Sequence, residues 1–183
     1  MAKPLRLWSR PALFQLNVLI LIGSTVLCLL LQLSRLPGMI LLDVTPNWCL
    51  IWVVTWSIKR SPLQGLIAGM ALGLIQDGIT APSPTHALGL AIAGYITSTL
   101  DVRRWVDEDF ICAALIVFMM APVVEAVFAG QLALQGVWDS QQIWTHLQQV
   151  SLSSAIISSL WTPLVYVPLN RWWERLHDLL HSR

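Results

Sequence analysis

The sequence predicts an all-α polytopic membrane protein of six transmembrane helices with both ends on the inner side. Three observations predict it. The 183 residues are 56% hydrophobic and 11% charged, with a mean hydropathy of +0.66, more apolar surface than a soluble domain of this length can use. Apolar blocks run over approximately 12–33, 46–58, 63–78, 84–100, 110–131 and 150–169. With six crossings, ten of the eleven Lys and Arg residues fall inside: Lys3, Arg6, Arg10, Lys59, Arg60, Arg103, Arg104, Arg171, Arg175 and Arg183, with only Arg35 outside. That asymmetry obeys the positive-inside rule. Nearly every residue is committed to a span, so residues 1–183 form a single integral membrane domain. The net charge of +1 leaves no footprint for nucleic acid.

The first block follows a basic N-terminus but, at about 22 residues, exceeds a signal-peptide apolar region, and no A-x-A-like site precedes Arg35. It reads as an uncleaved anchor. The second is the shortest, about thirteen residues or ~20 Å of helix, against the ~20 residues a crossing needs. Met39–Leu42 would lengthen it, but Pro37, Gly38, Asp43 and Pro46 punctuate that stretch. Residues 34–46 therefore read as an outer connection at the interface. Trp48, Trp52 and Trp56 at i, i+4 form a stripe read as lipid-facing or core packing rather than a ligand platform.

In the third block Gly65, Gly69 and Gly73 recur every four residues, and the same step lands on Asp77. Small residues at that spacing let helices approach closely in lipid. The sixth block carries a comparable stripe, Ser151, Ser154, Ser158 and Thr162, before Pro163 and Pro168, which are expected to bend or end the helix. Between the fifth and sixth blocks Gln131, Gln135, Gln141, Gln142, Gln148 and Gln149 interleave with Val137, Trp138, Ile143, Trp144 and Leu147. Asp139 or Ser140 is placed to cap a helix running on into the sixth span. This outer segment reads either as an interfacial helix or as a docking surface for an extracytoplasmic partner. The inner loop Asp101–Asp109 reads as a solvated turn whose acidic residues favour the N-terminus of the fifth helix.

Tryptophan placement agrees with this topology: Trp8, Trp105, Trp172 and Trp173 flank spans inside, and Trp48, Trp138 and Trp144 outside. Cys28, Cys49 and Cys112 lie within apolar blocks and read as small buried hydrophobes.

Asp77, His86 and Glu125 each sit ~21–22 Å from the inner boundary at the standard helical rise. At a cost of about 2.5–3.5 kcal/mol for a charge at the bilayer centre, three readings compete. The trio is a polar clasp sharing hydrogen bonds with Thr80, Ser83 or backbone freed by Pro82, Pro84 and Pro122; or a contact to a partner's transmembrane helix; or an acid–histidine pair with chemistry. The enzymatic case is thin, because no H-E-x-x-H, nucleophile elbow or phosphate loop is present. His146, His177 and His181 fall in loop or tail. No cofactor and no metal is expected, and the protein is expected not to be an enzyme.

Several ordered motifs then converge. Pro46-Asn47-Trp48 opens the second span, and Gly73-Leu74-Ile75-Gln76-Asp77 closes the glycine ridge. Leu88-Gly89 and Gly94-Tyr95 follow, then Leu160-Trp161-Thr162-Pro163 and the basic tail from Arg171. Order, spacing and length resemble MreD, the rod shape-determining membrane protein of bacteria. The resemblance implies a non-enzymatic scaffold of lateral peptidoglycan synthesis in the bacterial cytoplasmic membrane. Its direct partner would be an MreC-like single-span protein, with MreB, RodA and a class B penicillin-binding transpeptidase in the same assembly. It also implies a fold similar to the substrate-binding subunits of energy-coupling-factor transporters. The alternative function is therefore a small-molecule-binding subunit of a vitamin-type uptake transporter. One departure is Pro82-Ser83-Pro84-Thr85-His86, where the family commonly has a small glycine-containing turn, so contacts of that loop do not carry over.

Overall fold

In lipid each backbone N–H and C=O must be satisfied within its own segment, so apolar blocks become helices. The computed structural model describes residues 10–34, 39, 44–80, 84–100, 110–136 and 139–181. Over these the order is α1 (Arg10–Leu33), α2 (Trp48–Ser57), α3 (Pro62–Thr80), α4 (Ala87–Thr99), α5 (Phe110–Gln135) and α6 (Ser140–His181). Lys3, Arg6, Trp8, Arg35, Ser83, the 101–109 loop, Trp138 and Arg183 lie outside the described residues.

The six helices among the described residues are not six equal crossings. Arg10–Leu33, Phe110–Gln135 and Gln141–Leu180 are long and apolar enough to cross a membrane. At 10 and 13 residues, α2 and α4 reach only ~15 and ~20 Å, short of a ~30 Å hydrocarbon core.

The shortest helix is the most deeply enclosed. Nine of the ten residues of α2, all but Trp56, are buried. Its tryptophan stripe is core packing: Trp48 lies 5.9 Å from Trp161, Trp52 stacks on Trp56 at 6.1 Å, and Trp52 Nε1 donates to Ser24 Oγ at 2.9 Å. A helix that starts inside a bundle brings its first N–H groups with it, and three side chains meet them. Asn47 Oδ1 accepts from Leu50 N at 3.0 Å, Gln32 Oε1 of α1 from Trp48 N at 2.9 Å, and Ser158 Oγ of α6 from Asn47 N at 2.9 Å.

Where α2 ends, Lys59 Nζ donates to Asn170 Oδ1 at 2.8 Å. The pairs Asn47/Ser158 and Lys59/Asn170 share a separation of 111 residues. A constant offset means that α2 and α6 run parallel and in register.

The remaining helices wrap this axis, with α3 packed most extensively on α4, and α5 on α6. Ser61, Pro62 and Gln64 start α3 as a capping box would, Gln64 Oε1 accepting from Ser61 N at 3.3 Å. On the side away from the core, α1 exposes Phe14, Leu19, Ile22, Leu27 and Leu30. This is the pattern of a lipid-facing helix rather than a soluble one.

The sixth element departs most from expectation. It is not a span over 150–169 ended by proline but one helix of 42 residues, continuous through Pro163 and Pro168. Membrane helices tolerate such prolines because the freed carbonyls find other partners. The break before it falls at Gly136, which takes a left-handed φ of 66° after α5. Asp139 then starts α6, its carbonyl accepting from Ile143 N at 3.0 Å and its N–H donating to Gln142 Oε1 at 3.3 Å.

Removing either acceptor at the start of α2 leaves a buried N–H bare. Asn47→Ala and Gln32→Ala should each lower stability by about 1–2 kcal/mol, and Asn47→Asp, which keeps an acceptor, by less. Thermal unfolding of the purified protein in detergent checks this; an unshifted midpoint in the double alanine variant would contradict the capping role.

Candidate functional site

A spacing of four sets Gly65, Gly69 and Gly73 on one face of α3, and that face lies against α4. A Cβ on Gly65 would meet the Gly94 carbonyl oxygen, with Ser98 Oγ at 2.8 Å. On Gly69 it would meet the Leu90 carbonyl and Ala91 N at 2.8 Å, and on Gly73 the Ala87 Cα and N, the latter at 2.8 Å. Gly94 answers in kind, since a Cβ there would meet the Gly65 carbonyl. Most of these neighbours are backbone atoms, so no flexible side-chain end can yield. The helices touch along bare backbone, the close approach that small residues permit in membranes.

Asp77 stands at the end of this seam, one step beyond Gly73. Its carboxylate accepts from the Thr85 hydroxyl and from His86 N at 3.0 and 3.1 Å, and pairs with His86 Nδ1 at 3.0 Å. Thr85 Oγ1 in turn accepts from Ala87 N at 3.1 Å. The first N–H groups of α4 are therefore capped by a carboxylate and a hydroxyl, and the carboxylate suits the positive end of the helix dipole. From α5, Gln131 Nε2 donates to the Thr85 carbonyl at 3.0 Å, and the Phe128 ring lies 4.8 Å from His86. One latch fastens α3, α4 and α5. It is only partly shielded, the Asp77 and His86 side chains being 15% and 26% exposed.

A hydroxyl, a carboxylate and an imidazole in contact invite comparison with a hydrolytic triad. The order is wrong for one. In a triad the imidazole lies between nucleophile and acid and takes the hydroxyl proton. Here the carboxylate lies between, Thr85 donates to Asp77, and among the described residues no hydroxyl is hydrogen-bonded to the His86 ring. The arrangement joins α3, α4 and α5. Among the described residues no three His, Cys, Asp or Glu side chains gather as a metal site.

Asp77 and His86 thus come together, whereas Glu125 does not join them. It is half-buried on α5 without a hydrogen bond or ion pair to another described residue. Equal depth was the only argument for including it, and depth does not fix the face of the helix. Phe128 and Gln131, further along α5, reach the latch instead. Thr80, another expected member, bonds within its own helix to the Gln76 carbonyl at 2.9 Å.

In α6, Ser154, Ser158 and Thr162 are buried and Ser151 is half-buried. Ser158 serves the start of α2, and Thr162 Oγ1 donates to the Ser158 carbonyl at 2.8 Å. Ser158 thus ties this stripe to the start of α2 in the same chain.

Sequence reasoning missed the polar cluster at the other end of α2. Asn170 Nδ2 donates to Glu174 Oε1 at 2.6 Å, Lys59 Nζ lies 3.8 Å from the same oxygen, and Trp172 Nε1 donates to Asn17 Oδ1 at 3.1 Å. Lys59 had weight only as an inside charge; its spacing from Asn170 gains meaning once α2 and α6 are known to be parallel.

A family model described as rod shape-determining protein MreD matches residues 12–171. The chain belongs to the MreD family. It is thereby a membrane protein of cell-shape determination. The match takes in α2 to α5 entirely, with the seam, the latch and the caps of α2, and ends at Arg171 within α6. No curated protein and no solved structure matches the chain.

Within this MreD-family bundle, Gly69→Leu should be far more damaging than Asp77→Asn. A leucine must force two backbones apart, costing about 3 kcal/mol or more, whereas an amide oxygen still accepts from Thr85 or His86, costing on the order of 1 kcal/mol. Yield of monodisperse protein and thermal midpoint in detergent measure both. The reverse order would show that the charge of Asp77, not the approach of the helices, governs the bundle.

Proposed function

We propose that this MreD-family protein is a non-enzymatic scaffold of the lateral cell-wall synthesis machinery, binding an MreC-like single-span partner. It lies in the bacterial cytoplasmic membrane as a multi-pass protein, with six crossings and both ends inside. MreB, RodA and a class B penicillin-binding transpeptidase are further members of the same assembly. The observation that carries this reading is the use of the membrane-embedded polar groups. Asp77, Thr85, His86 and Gln131 fasten α3 to α4 and α5, and Gln32, Asn47 and Ser158 fasten α2 to α1 and α6. Spent on internal bonds, these groups serve a fixed shape rather than a reaction.

What such a shape offers to others is its outside. The first turns of α6 expose Gln141, Gln142, Gln148 and Gln149, with Trp144 60% exposed among them. An exposed indole ringed by amides combines a large apolar contact with adaptable hydrogen bonding, a composition suited to a protein interface. We assign this segment to the extracytoplasmic part of the MreC-like partner.

Co-purification in mild detergent tests the reading. The wild type should retain the single-span partner, Trp144→Ala should weaken retention about tenfold or more, and depletion should round elongated cells. Normal shape on depletion with no partner recovered would refute it.

A further inference from the structure

A groove of about 710 Å³ runs along the flank between α1 and α6. Ile20, Gly23, Leu27 and Leu31 line one wall, and Leu164 and Pro168 the other. From Ile20 to Leu31 the groove follows α1 for ~16 Å, about the depth of one leaflet of a ~30 Å core. Two further residues set its polarity. Arg171 and Arg175 line the same groove one helical turn apart, on one face of α6. Both are exposed, and neither has a carboxylate within salt-bridge reach among the described residues. The nearby Glu174 is engaged with Lys59 and Asn170, and no Asp or Glu among the described residues lines the groove.

The direction of the two walls fixes which end is which. Trp172 Nε1 bonds Asn17 Oδ1 near the start of α1, and Gln32 at the other end of α1 reaches the N-terminus of α2, beside Ser158 of α6. The helices are therefore antiparallel, with the arginines at the Ile20 end and uncharged, mainly aliphatic walls toward Leu31 and Leu164, where Cys28 is the one sulfur-bearing side chain among the described lining residues. Gly23 supports the same reading. A Cβ there would meet nothing within 4 Å, so this glycine leaves open space rather than serving a packed contact.

We propose that this groove is a binding site for an anionic phospholipid, with one acyl chain along Leu27, Leu31 and Leu164 and its phosphate held by Arg171 and Arg175. Paired guanidinium groups present forked donors to phosphate oxygens, and a cationic rim on an apolar slot one leaflet deep complements such a lipid. A zwitterionic lipid fills the slot equally well but returns less to the two positive charges. This site is separate from the α6 segment assigned to the protein partner.

The test uses the full-length protein, stripped of lipid in detergent and titrated with phosphatidylglycerol or phosphatidylcholine of identical chains. Native mass spectrometry and thermal midpoint are the readouts. Phosphatidylglycerol should bind about tenfold or more tighter than phosphatidylcholine. Arg171→Gln with Arg175→Gln should erase the difference, and Arg60→Gln, a charge outside the groove, should leave it. Gly23→Leu, whose Cβ has open space and whose side chain enters the groove, should weaken both lipids while preserving the fold. Equal affinity for the two lipids overturns the proposal, as does an equal loss in Arg60→Gln, which would mean diffuse attraction. Unchanged lipid binding in the arginine variant with loss of a co-purifying single-span protein would assign the groove to a protein helix and overturn it too.

Discussion

A helix of ten residues enclosed on nearly every side has to begin somewhere, and α2 begins among side chains rather than in water. Its leading N–H groups cannot be left bare in a medium without water, where each unpaired group costs several kcal/mol. That single constraint ties distant parts of the chain to one place. Gln32 must come from the end of α1, Ser158 from the middle of α6, and Asn47 from the residue before the helix. Once these three acceptors converge, the positions of α1 and α6 about the central helix follow. Burial of Leu50, Ile51, Val53 and Val54 then fills the space between.

The second organising contact works by the opposite means. Where α2 is held by side chains, α3 and α4 are held by having almost none between them. Backbone contact along Gly65, Gly69, Gly73 and Gly94 leaves little slack, and the carboxylate at the end of the row caps the start of α4. Seam and latch depend on each other. Asp77 reaches the start of α4 because the glycines allow the helices so close, and the latch keeps the pair from sliding.

Much of this was legible in residue order. The glycine period marked a close approach, the Pro-Asn-Trp run marked the start of α2, and Asp139 or Ser140 marked the start of α6. What could not be read was azimuth and partner. Asp77, His86 and Glu125 were placed by depth, yet depth along an axis says nothing about direction around it, and Glu125 stands outside the latch. The prolines at 163 and 168 suggested a bend or an end because local rules describe a helix alone, whereas α6 packs against α2 and α5. Gln32 and Asn170 carried no signal, being ordinary polar residues until their partners are known.

The shared offset between α2 and α6 carries a consequence for how this chain can vary. Asn47 and Lys59 are as many residues apart as Ser158 and Asn170, so the two helices act as matched gauges clamped at both ends. A residue added to or removed from either helix between the clamps would turn everything beyond it by about 100°, and one clamp would open. Between these clamps the central pair can therefore drift in composition but not in count.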